Sequence, residues 1–281
     1  MSRLAVIFPG IGYTADRPLL YYSRRLAERA GFEVRIIPFH GFPKKAKGDA
    51  GKLRRSCALA CRQAAEHLKD TDLGSYEEVL FIGKSIGTVA AADIASHSGV
   101  AERIRFVLFT PLEESFSYPL GEAVVFTGSA DPWTGAEKSR IAALCAQRGI
   151  PCSVVDGANH SLETADPLQD ISNLQEIMKR TEDFLREEQI RRITKYEKLL
   201  SGLLSALSSP GTSACSLSSL KDTADALGRY YGSDIWKQDL ADDEAGLLPS
   251  GLKRGVLSED GIYNALEEYA ERTGGSSRQT E

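Results

Sequence analysis

Short apolar runs and amphipathic stretches alternate along the first two thirds of the chain. Residues 4–8, 34–39, 79–82, 104–109, 123–126 and 152–155 are rich in β-branched or aromatic side chains. Each run has strand length and is too short for a helix. Between them lie helical patterns. Leu53, Cys57, Ala60, Cys61, Ala64 and Leu68 recur at three- and four-residue spacing, which gathers them on one face. Regular strand–helix alternation predicts an α/β fold: a mostly parallel sheet of about six strands with helices on both faces. In such sheets the functional residues gather beyond the carboxyl ends of the strands.

After residue 188 no further strand run occurs. Ile193, Tyr196, Leu200, Leu203 and Leu207 form a helix stripe close to heptad spacing. Residues 208–219, rich in Ser around Pro210-Gly211, read as a loop. A second helix follows through Leu220, Ala224, Leu227 and Tyr231. Ser258, with Glu259 and Asp260 behind it, predicts an N-cap opening a helix that carries Ile262, Tyr263, Leu266 and Tyr269. Residues 274–281 hold no apolar anchor and are expected to be disordered. The chain therefore divides into an α/β domain, 1–188, and a small all-α domain, 189–281. A length of 281 residues at about 150 per domain agrees.

Charge and cysteine content narrow the class. With 34 basic and 39 acidic side chains, the net charge of -5 gives no electrostatic footprint for nucleic acid. No apolar run reaches the roughly 18 to 20 residues that span a bilayer, so no membrane partner is expected. The N-terminal apolar stretch is short and lacks a cleavage site, which argues against a secretory signal. The five scattered cysteines suit reduced thiols and a cytoplasmic location. Cys57 and Cys61, at helical spacing, lack two further ligands and read as small core residues. No metal and no cofactor is expected.

The chemistry centres on Gly83-Lys84-Ser85-Ile86-Gly87. A glycine-x-serine-x-glycine match is weak alone, but here a strand runs straight in and an alanine-rich helix straight out. That turn strains the serine backbone, and the flanking glycines remove side chains that would collide. The same residues are a poor phosphate loop, because Glu78 stands where that loop needs glycine. A serine nucleophile needs a base oriented by an acid. Four histidines are present, and only His160 follows a later strand, on the loop Asp156-Gly157-Ala158-Asn159-His160. Asp131 lies just past the run 123–126. A helix N-cap ahead of Thr134 is the other reading of Asp131, and Asp156 is a competing acid. Ile86 supplies one oxyanion-hole amide; Ile11, in the glycine-rich turn Pro9-Gly10-Ile11-Gly12-Tyr13, is the second. Gly10, Gly12, Tyr13, Lys84, Phe116, Tyr118 and Trp133 are substrate-pocket candidates; the last three aromatics could equally be core.

Residues 1–188 resemble a compact member of the α/β-hydrolase superfamily. The resemblance rests on the Ser85 elbow, on Gly128 to Asp131 and on Gly157 to His160, in that order. It implies a Ser85–His160–Asp131 triad acting on a small ester, thioester or amide through an acyl-enzyme. Only about a dozen residues join the fourth and fifth strands, so no cap domain is expected. Lys84 replaces the aromatic or histidine often found before the nucleophile. A scaffold that retains the fold without catalysis, or a small peptidase, are the alternatives. Six basic residues between Lys44 and Arg55 should lie on the active-site edge, about 10 Å from the elbow. They either attract an anionic substrate or form a solvated loop. Residues 190–272 resemble a small helical bacterial domain of unknown function. Docking to a partner or a homodimer is the expectation for its apolar stripes; packing with no partner is the alternative.

Overall fold

The computed structural model describes residues 2–43, 49–133, 140–209 and 217–274. Contacts divide the chain into two compact units, Ser2–Phe184 and the residues from Leu185 onward. The boundary expected at 188/189 falls inside a helix, Pro167–Ser208, rather than in a linker. The local reason is that no glycine or proline interrupts residues 168–201. No helix among the described residues is long and apolar enough to cross a membrane.

In the first unit six strands form one parallel sheet, in the order β2-β1-β3-β4-β5-β6. They are β1 (Arg3–Phe8), β2 (Glu33–Ile36), β3 (Glu78–Lys84), β4 (Ile104–Phe109), β5 (Ala123–Gly128) and β6 (Cys152–Val155). The connecting helices are α1 (Pro18–Arg29), α2 (Ala50–Leu68), α3 (Ile86–His97) and α4 (Arg140–Gln147). β2 is shorter than its apolar run. Ile37 still donates to Ile7, but Pro38 has no amide to continue the ladder. β1, β3, β4 and β5 are almost wholly buried, as the central strands of a two-sided parallel sheet must be.

Strand periodicity assigns the two faces. Leu4, Val6, Phe8, Val79, Phe81, Phe106, Leu108 and Val125 share a core with α2, α3 and α4. Cys57 belongs to that core and Cys61 packs against it, as their helical spacing predicted. Arg105, from the opposite face of β4, donates to the Phe184 carbonyl and lies over that ring. The long helix α5 (Pro167–Ser208) thus meets the second face through its first part, up to Phe184, and α1 meets that part through Ser23 and Met178. Between β4 and β5 there is only a short 3-10 turn, Glu113–Ser117, and no cap domain.

The second unit contains the rest of α5, then α6 (Lys221–Tyr231), α7 (Asp234–Glu244) and α8 (Glu259–Thr273). Its core joins Ile193, Leu200, Leu203 and Leu207 to Leu227, Trp236, Val256 and Ile262. Ser258 caps α8, accepting from the Gly261 amide. The expected tail lies outside the described residues beyond Gly274, as does most of the serine-rich loop. Helix α7 is missing from the sequence reading. Its inner face carries Asp239 and Asp242 beside Ile235 and Trp236, so the apolar stripe is broken. Those carboxylates are buried in a polar network. Arg192 grips Asp239 with two nitrogens at 2.8 and 2.9 Å, and Tyr230 Oη donates to it at 2.8 Å. Gln189 bridges Asp239 and Asp242 at 3.1 and 2.8 Å. Replacing Asp239 by alanine takes from the buried Arg192 guanidinium the carboxylate that it grips with two nitrogens. We expect a loss of about 3 kcal/mol, measured by urea unfolding of the whole chain.

Candidate active site

The carboxyl ends of β3, β5 and β6 deliver three side chains to one place. β3 runs into α3 through Ser85, whose backbone sits at φ 55°, ψ -121°. Its amide donates to the Phe109 carbonyl, and its carbonyl accepts from the Thr88 amide and hydroxyl. These bonds hold a conformation that an L-residue adopts reluctantly. Gly87 permits the close passage of α3 across β1: a Cβ there would lie 2.0 Å from the Phe8 carbonyl oxygen. Gly128 plays the same part for the other two loops, because a Cβ on it would meet the Ala158 carbonyl oxygen at 2.1 Å.

His160 bridges the other two groups. Its Nε2 is 2.7 Å from Ser85 Oγ, and its Nδ1 is 2.7 Å from Asp131 Oδ2. A carboxylate can only accept, so Nδ1 carries the proton and Nε2 is left to accept from the serine hydroxyl. Asp131 is 4% exposed, and its second oxygen accepts from the Trp133 amide at 2.9 Å. The Trp133 ring stacks on the imidazole, with centroids 5.3 Å apart. Thr134, the partner in the N-cap reading of Asp131, lies outside the described residues. Asp156 is engaged elsewhere: Ser129 Oγ donates to it at 2.9 Å.

A cavity of about 560 Å³ opens above Ser85. Ile11, Gly12, Tyr13, Lys84, Ile86, Trp133 and His160 line it, as do Arg17, Phe42, Leu53, Leu112 and Glu163. The Gly10 and Tyr13 amides are engaged with each other's carbonyls, whereas that of Ile11 has no backbone partner among the described residues. Ile86 opens α3, where an amide has no intrahelical acceptor.

Three pocket candidates need correction. Phe116 is 4% exposed and belongs to the core, and Tyr118 packs against that core; neither lines the cavity. The turn after β4 packs both rings against the core that α2 and α3 share. Gly10 is buried and packs against Lys84 and Ser85, supporting the floor without lining the cavity. Of the basic run, Lys44, Lys45 and Lys47 lie outside the described residues. Lys52, Arg54 and Arg55 lie in α2, beside Leu53 in the cavity wall. The sequence reading missed Arg17, Phe42, Leu53, Leu112 and Glu163. Only their position in loops or helix starts near strand ends hinted at them.

Lys84 is 1% exposed. Although its stem contributes to the cavity wall, its ammonium binds Thr110 Oγ1 at 2.6 Å and the His160 carbonyl at 2.7 Å. Burial pulls its pKa down from 10.5 to about 7, against the opposing pull of the Asp131 and Glu163 carboxylates. Below about 7 both native and unfolded chains hold this proton; between about 7 and 10.5 only the unfolded chain does. Stability should therefore rise with pH across that window. Lys84→Met should flatten the rise, as read from urea midpoints at pH 6 and pH 9. Tyr13 is also pushed up, to about 12, chiefly by burial. No cluster of three or more His, Cys, Asp or Glu side chains suited to a metal ion occurs among the described residues.

Residues 190–274 match a family described as a domain of unknown function, DUF4298. No curated protein sequence matches the chain. Among solved structures, the chain is similar to a candidate hydrolase of the alpha/beta superfamily from Xanthomonas campestris pv. campestris. The identity is 16%, over 66% of this chain and 99% of that one, with a TM-score of 0.48. An alpha-beta serine hydrolase homologue from Coxiella burnetii is 16% identical over 65% and 84% of the chains, with a TM-score of 0.41. The esterase Pf2001 from Pyrococcus furiosus is 14% identical over 66% and 83%, with a TM-score of 0.45.

Proposed function

We propose that the first unit is a serine hydrolase of small acyl substrates: esters, thioesters or amides. The observation that carries this reading is the placement of His160, 2.7 Å from both Ser85 Oγ and Asp131, beneath a cavity of about 560 Å³. In the mechanism this supports, Ser85 Oγ attacks the substrate carbonyl while its proton passes to His160 Nε2. Asp131 holds the Nδ1–H tautomer and stabilises the imidazolium. The amides of Ile86 and Ile11 receive the oxyanion, and the positive end of α3 favours the charge there. The imidazolium then protonates the leaving group. Water, activated by the same histidine, releases the acyl group and restores the serine.

The test is a fluorophosphonate probe followed by peptide mass spectrometry. Labelling at Ser85 is expected. Folded protein that is not labelled at Ser85 would favour the non-catalytic scaffold reading instead.

A further inference from the structure

Two buried side chains beside the triad have no part in the mechanism just described, yet both bind its histidine. Thr110, which follows β4, is fully buried and has φ +40°. A β-branched residue at positive φ is a genuine outlier, and such strain persists only where the surroundings over-determine it. Here the outlier places a hydroxyl between two partners. Thr110 Oγ1 accepts from Lys84 Nζ at 2.6 Å and donates to the His160 carbonyl at 3.0 Å. Lys84 Nζ donates to that same carbonyl at 2.7 Å and stands 5.0 Å from the centre of the Tyr13 ring. The three protons of the ammonium therefore have three acceptors: a hydroxyl, a carbonyl and a ring face. A lysine this deeply buried is expensive, and an apolar side chain of similar volume would fill the space more cheaply. Two donors converging on one carbonyl oxygen fix the main chain of the residue that must align Nε2 on Ser85.

We propose that Lys84 and Thr110 are positioning residues, which clamp the His160 main chain and, through the Lys84 charge, set the pH range over which the imidazole accepts a proton. The inference rests on the serine hydrolase reading for its consequences in turnover. The charged and titratable groups facing Lys84 are the Asp131 and Glu163 carboxylates and the Tyr13 phenol, and its ammonium reaches His160 at the main-chain carbonyl. The carboxylates favour the ammonium and burial opposes it. A neighbouring ammonium disfavours the imidazolium, so its removal eases protonation of His160.

Lys84→Met and Thr110→Val remove the clamp at nearly constant volume, and thermal unfolding shows that each variant is folded. Each should lower kcat/KM for a p-nitrophenyl ester about 10- to 100-fold, through kcat more than KM. Thr110→Ser keeps the hydroxyl and should recover at least about a third of the wild-type rate. In Lys84→Met the acid limb of the pH profile should move up by about half a unit. Thr110→Val keeps the charge and should move it by less than about 0.2 unit. Nitrogen NMR of the His160 ring across pH, in wild type and Lys84→Met, reads the same upward shift without turnover. An unchanged ring titration in folded Lys84→Met overturns the charge effect, and a Thr110→Ser as impaired as Thr110→Val overturns the clamp. Wild type that neither labels nor turns over overturns the hydrolase reading, and the ring titration then still decides the charge effect.

Discussion

Ser85→Ala should lower kcat for a short-chain p-nitrophenyl ester by about 10⁴- to 10⁶-fold while leaving the fold intact. The size follows from the loss of the covalent route. With the hydroxyl removed, only binding and the Ile86 and Ile11 amides remain to stabilise a transition state reached by water. The substitution deletes one atom of a residue that is 9% exposed, so stability should change little. Asp131→Asn gives a matched second case. An amide nitrogen facing Nδ1 would favour the opposite imidazole tautomer, taking the acceptor away from Ser85. A loss of about 10⁴-fold is expected. Steady-state turnover over a range of ester concentrations checks both, with circular dichroism confirming the fold. Wild-type activity in Ser85→Ala would remove the serine from the mechanism altogether.

Gly87→Ala should unfold the first unit or destabilise it by at least about 5 kcal/mol. The added methyl would meet the Phe8 carbonyl oxygen at 2.0 Å and that of Pro9 at 2.5 Å. Both are main-chain atoms at the end of a central strand. Phe8 pairs with Gly83 in the ladder between β1 and β3, so neither strand can swing aside as a flexible side chain would. The only relief is to lift α3 off the sheet. That movement would also carry the Ile86 amide and Ser85 away from His160, so any folded remnant should be inactive. Guanidinium unfolding followed by tryptophan fluorescence, with Ser85 labelling on the same samples, measures both effects. Gly87→Ala with normal stability and normal labelling would show that α3 does not pass this close to β1.

The first unit was legible because its signals are local. Strand-length runs, helical spacing and a glycine-flanked serine each depend on a few neighbouring residues, and the parallel order follows from their alternation. Ser85, Asp131 and His160 could be named for the same reason: each follows a strand, and every strand of a parallel sheet ends at the same edge. The pocket was not legible. Phe116 and Trp133 are both aromatics on strand-end loops, yet one is buried in the core and the other stacks on His160. Their difference is the path of a loop, which no residue pattern encodes. Helix α7 was hidden for another reason. Buried Asp239 and Asp242 look like solvated positions until Arg192 and Gln189, 47 to 53 positions away, and Tyr230 of the preceding helix are brought against them.

What the sequence by itself determined was the α/β architecture, the strained serine between strand and helix, and which histidine and aspartate stand at the sheet edge. Each is set by backbone sterics and by hydrophobic periodicity over a few residues. The tertiary structure alone decided that these groups meet at 2.7 Å, and that Lys84 turns from the cavity to grip the His160 carbonyl. Those contacts join residues 26 to 76 positions apart. They exist because the packed sheet fixes the distance between strand ends, a constraint that no single segment of the chain contains.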